Sequence, residues 1–195
     1  METLVRTLCD GPTFRLKEAV KQQHQGFLVS PEESDRIRQQ LMGHLERMKR
    51  GTILVFDPAG VDSRASCFAR ILGGPLRALA EQRGLRGRYL VLQGPLGSNA
   101  EDVRLGLEDE EVVAVVRDVE GPRLAGKVDR TLTETYAFVV ERDEVTSQAL
   151  QRPFGLTITA ANARVVKMQR LGLLHFLREE SLGKGGRRFV YEPVR

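Results

Sequence analysis

The residues whose types and spacing suit a definite chemistry lie near the C-terminal end of this chain. Asn162 carries a side-chain amide, whose paired donor and acceptor match the major-groove edge of an adenine. Arg164, Lys167 and Arg170 follow it, long cations that can reach phosphates or a guanine edge. Thr157, Thr159, Ala160 and Ala163 are small, so a backbone that carries them can approach a surface closely. A second basic group, Lys184, Arg187 and Arg188, stands among Gly183, Gly185 and Gly186. The chemistry these residues share is contact with nucleic acid. The plain alternative is a solvated amphipathic helix followed by a flexible basic hairpin.

Presenting those side chains needs particular elements, and the flanking sequence supplies them. Residues 129–142 predict a helix with Leu132, Tyr136 and either Val139 or Val140 turned inward. Thr146 suits the cap of a second helix over 147–152, which Pro153 is expected to stop. Gly155 suits the turn. Thr157 or Thr159 then caps a third helix, whose buried stripe is Ala161, Val165, Met168 and Leu171. Residues 173–179 and 187–191 read as the strands of a hairpin, with its tip at 181–186.

Helix, turn, helix and basic hairpin in this order resemble the winged helix-turn-helix family of bacterial regulators over residues 128–195. The resemblance implies double-stranded DNA as partner. It places the third helix in the major groove and the hairpin against the minor groove or its phosphates. The expected contact residues are Thr157, Thr159, Ala160, Asn162, Ala163, Arg164, Lys167, Arg170, Lys184, Arg187 and Arg188. A homodimer is expected, because one short recognition helix reads little sequence by itself.

The first half has a different texture. Ser30, Pro31 and Glu33 form a helix-start pattern, followed by Ile37, Leu41, Leu45 and Met48 at helical spacing and by Gly51 as a stop. Residues 52–56 and 89–92 are short continuous apolar runs, which predict buried strands. Phe68, Ile71, Leu72, Leu76 and Leu79 predict a helix that Gly73, Gly74 and Pro75 should break or bend. Asn99 is a candidate cap for a short helix to Leu107. The alternation predicts an α/β fold. Gly26 to Ser30 before a helix, Leu54 to Asp57 with Gly60 and Val61, and Ser66 to Ala69 opening a helix resemble STAS-like domains over residues 12–106. That likeness implies a sensing or partner-docking module related to anti-sigma-factor antagonists. Cys67 stands where many relatives carry serine, so Ser63 or Ser66 is read as a helix cap rather than a phosphorylated switch. Asp57 is read as closing a turn.

Between the halves, residues 107–127 form an acidic connector. Its β-rich run 112–117, turn 118–122 and return 123–126 predict a hairpin that either bridges the halves or completes the first sheet. Residues 99–126 hold eight acids against three arginines, whereas 155–195 hold eight basic residues against three acids. A basic C-terminal segment behind an acidic connector fits an electrostatic footprint on DNA. Cys9 and Cys67 make neither a disulfide framework nor a zinc site, and His24, His44 and His175 are scattered. No cofactor, metal or catalytic constellation is expected. Neither a signal peptide nor a membrane span is legible, so a cytoplasmic location is expected. The α/β plus winged-helix reading is a DNA-binding transcription regulator. Its alternative is a partner-switching protein of the anti-sigma-antagonist type, acting on a regulatory protein.

Overall fold

In the computed structural model, which describes residues 8–20, 27–28, 30–81, 84–182 and 186–195, the apolar runs become strands of one mixed sheet. In chain order the elements are β1 (Cys9–Arg15), α1 (Leu16–Ala19), β2 (Phe27–Leu28), α2 (Pro31–Arg47), β3 (Thr52–Asp57), β4 (Asp62–Ser63), α3 (Ala65–Ala80) and β5 (Arg88–Gln93). There follow a 3-10 turn (Gly97–Asn99), α4 (Ala100–Asp109), β6 (Val113–Asp118) and β7 (Gly121–Gly126). The last third holds α5 (Arg130–Val140), α6 (Ser147–Phe154), α7 (Ile158–Arg170), β8 (Leu174–Leu182) and β9 (Gly186–Pro193). The fold is mixed α/β, as the alternation predicts.

The five-stranded sheet has the order β1-β3-β5-β6-β7. Its first four strands are parallel, and β7 returns antiparallel to β6. Of the two readings of the connector hairpin, the structure takes the second: β6 and β7 complete the sheet. The parallel strands advance one way across it, so crossovers of a single hand place their helices on one face. There Ile37, Leu41 and Leu45 of α2, Phe68, Ile71 and Leu72 of α3 and Val103 and Leu107 of α4 bury Leu54, Phe56, Leu90, Leu92, Ala114 and Val116. Alternate residues point the other way. Ile53, Val55, Tyr89, Val91, Val113 and Val115 share a core with α5, α6, α7 and the β8–β9 hairpin. Burial on both faces explains why the strands read as unbroken apolar runs.

Several local expectations change. Strand β1 carries no alternating pattern; it is an edge strand with an irregularity between Asp10 and Thr13, where Pro12 is tolerated. Helix α3 continues through Gly73, Gly74 and Pro75 to Ala80. Phe68, Ile71 and Leu72 on its inner face are fully buried, and that burial outweighs the roughly 3 kcal/mol penalty of an internal proline. Gly106 sits where α4 crosses α3, and an added Cβ would lie 2.4 Å from the Ala65 carbonyl oxygen. Only a residue without a side chain allows that approach. Asn99 makes no side-chain cap. Instead it is buried, its Nδ2 donating to the Val61 carbonyl at 2.7 Å and its Oδ1 accepting from the Ser63 amide at 3.2 Å. Neither Ser63 nor Ser66 caps α3; the Ala65 amide donates to Asp102 Oδ1 at 3.0 Å. Ser30 does cap α2, accepting from the Glu33 amide at 3.4 Å. Asp57 closes its turn, its Oδ1 accepting from the Ala59 amide at 2.9 Å.

Candidate nucleic-acid interface

The C-terminal third begins at Asp129, which caps α5 by accepting from the Leu132 amide at 2.7 Å. Tyr136 and Val139 face inward, and Val140 is half-buried. Thr146 caps α6, accepting from the Ala149 amide at 3.3 Å. Pro153 does not stop this helix, which runs to Phe154. The stop is Gly155, at φ 60 and ψ 35, a left-handed conformation that favours glycine. The Leu156 amide there donates back to the Gln151 carbonyl at 2.9 Å, closing the helix end. Thr157, not Thr159, caps α7, accepting from the Ala160 amide at 3.2 Å.

Ala161, Val165 and Met168 form the buried stripe of α7, while Leu171, expected to extend it, is only half-buried past the helix end. Thr159, Asn162, Ala163, Lys167 and Arg170 are exposed, together with Ile158 and Val166; Ala160 is half-buried. The hairpin is longer than its expected strands and has an irregularity between Phe176 and Arg178. Val145 joins it through two backbone hydrogen bonds with Tyr191, at 2.8 and 2.9 Å. Lys184 and the rest of 183–185 lie outside the described residues, as does His24.

Tertiary structure redistributes the cations. Arg164, expected to face a ligand, turns inward: its Nη1 donates to Thr135 Oγ1 at 3.0 Å, and its guanidinium lies 5.0 Å from the centre of the Phe154 ring. Lys167 Nζ pairs with Asp129 Oδ2 at 2.6 Å. That hydrogen bond from Lys167 is the main cause holding the Asp129 carboxyl below its ordinary range. On the hairpin, Arg188 Nε donates to Glu180 at 2.9 Å, and Arg187 pairs with Glu179 at 3.2 Å. Arg178, not singled out from sequence, binds Glu144 with two nitrogens at 2.5 and 2.7 Å and also reaches Glu180. Hydrogen bonds from Arg188 and then Arg178 hold Glu180 below its ordinary range. Basic residues alone gave no sign of these pairings, since their acidic partners, apart from Glu180 on Arg178's own strand, lie on other elements.

Buried polar ties hold this third of the chain, two of them reaching the sheet side and one within the third itself. Tyr89 Oη and His175 Nδ1 are 2.8 Å apart and buried. Tyr136 Oη donates to the Val194 carbonyl at 2.6 Å, and the Leu8 amide donates to buried Glu192. Burial pushes the Tyr89 and Tyr136 hydroxyls up and raises the Glu192 carboxyl. Among the described residues, no group of three or more His, Cys, Asp or Glu is placed to hold a metal ion. Among them also, no helix is long and apolar enough to cross a membrane. No protein-family model and no curated protein matches this chain.

Proposed function

We propose that the protein is a transcription regulator of the bacterial type that binds duplex DNA through α7 and the β8–β9 hairpin, as winged helix-turn-helix proteins do. The observation that carries this reading is the arrangement of α6, the Gly155 turn and α7. Its outer face offers Thr159, Asn162, Ala163 and Arg170 beside a hairpin joined by the Val145–Tyr191 bridge. The N-terminal layer, with Asp57 ending β3 and Ser66 exposed at the start of α3, is read as STAS-like and as the sensing or dimerising part. No catalysis and no cofactor enter the proposal, and the working form is a homodimer in the cytoplasm.

The test is titration of the full chain with duplex DNA across a salt series. Binding should weaken with salt, with a slope of roughly −0.9 per phosphate contact. Lys184→Ala with Arg187→Ala and Arg188→Ala should flatten that slope. Salt-independent binding, or none, overturns the proposal.

The second reading, a partner-switching protein acting on a regulatory protein, is favoured by the pairing of Arg178, Arg187 and Arg188 with neighbouring acids. It is favoured also by exposed Phe189 on the hairpin. Association with a protein partner in the absence of duplex binding would select it.

A further inference from the structure

We infer that the outer face of α7 reads A·T rather than G·C base pairs; this rests on the DNA-binding reading above. Guanine is read in the major groove by arginine or lysine, whose donors meet its O6 and N7. The two cations that fall within the body of α7 are both drawn aside. Arg164 is held inward by Thr135 and the Phe154 ring, and Lys167 is drawn toward the start of α5 by Asp129. Arg170, the remaining cation of the helix, is exposed at its last residue. Recognition helices present their N-terminal residues to the bases, so Arg170 is placed for a phosphate.

The side chains left facing out between Ile158 and Val166 are of another chemistry. Asn162 is exposed, and its amide offers the donor–acceptor pair that adenine N7 and N6 require. Around it stand Ile158, Thr159, Ala163 and Val166, each ending in a methyl group. Ile158 and Val166 are 43% and 41% exposed, although both are large apolar residues. A solvated helix gains nothing from such exposure. A thymine C5-methyl in the major groove is the apolar feature of a base edge that this surface fits. Amide and methyl groups on one face therefore match adenine on one strand and thymine across the pair or beside it.

Selection of the full-length protein against a random duplex library should enrich a motif of A·T pairs at the positions under α7. Replacing single thymines in that motif by deoxyuridine removes only the C5-methyl. Affinity should fall about fourfold at the thymine in contact, the worth of one buried methyl. Val166→Ser, an exposed change that leaves the buried stripe intact and removes every methyl at that position, should abolish that difference between thymine and uracil. Asn162→Ala should cost about 5-fold to 150-fold on the motif and little on unrelated duplex. A G·C motif, or indifference to deoxyuridine, overturns the inference. So does salt-sensitive binding without any enriched sequence, which leaves the DNA-binding reading standing. Failure to bind any duplex overturns both.

Discussion

The two faces of the central sheet are closed in different ways. The face under α2, α3 and α4 is sealed by aliphatic and phenyl side chains contributed by helices that directly connect the strands they cover. The opposite face is covered by residues that come much later in the chain, and apolar packing there is accompanied by the Tyr89–His175, Tyr136–Val194 and Leu8–Glu192 ties. Apolar contact is non-directional, so it sets how much surface is buried but not the angle. Hydrogen bonds require particular geometry. The difference teaches that the first face builds the scaffold, while the second fixes the orientation in which α7 and the hairpin are held.

Truncation of the first face should have the largest effect. Phe56→Ala removes a fully buried ring and should cost about 3–5 kcal/mol in urea unfolding. A loss below about 1 kcal/mol would mean that the helical face is not the scaffold. Tyr136→Phe keeps the ring and removes only its donor to Val194. It should cost about 1–3 kcal/mol, because a buried carbonyl loses its partner. Amide exchange should quicken in α5 and β9 more than in β3; uniform quickening would erase the contrast between the faces.

Asp129→Ala removes the cap of α5 and the partner of Lys167, and should cost about 1 kcal/mol. Asp129→Asn keeps a capping oxygen and should lie within about 0.5 kcal/mol of wild type, since an exposed ion pair contributes little. Equal losses in the two variants would show that the ion pair, not the cap, holds α5.

The smallest effect is a pH dependence on the second face. Burial raises the Glu192 carboxyl above its ordinary range. The folded state therefore holds that proton more tightly than the unfolded chain. The resulting stability is fully present below the ordinary glutamate range and is lost as pH rises through the raised value. Glu192→Gln cannot titrate, so wild type should lose stability relative to it over that interval. Parallel stability–pH curves for the two proteins would assign the dependence elsewhere.

Much of the local structure was legible. Ser30 and Thr146 were recognisable as caps, and Thr157 as one of two candidates with Thr159, because a cap bonds an amide two or three residues away. The runs 52–56 and 89–92 announced buried strands, and Ala161, Val165 and Met168 announced the inner face of α7. Edge strand β1 gave no comparable pattern, because pairing along one side alone imposes little on its residues.

What the sequence by itself determined is therefore the elements and their inward faces, since helical and strand periods act over a few residues. Tertiary structure alone decided which polar side chains found partners far along the chain. Pro75 remains inside α3 because the sheet buries the helix around it. Asn99 stands at the cap position of α4, yet its side chain bonds the segment around β4. Arg164 finds Thr135 on α5, and Arg178 finds Glu144 ahead of α6. A long cation whose partner lies on another element carries no local record of it, because its charge is satisfied by whichever carboxylate or hydroxyl the fold brings within reach.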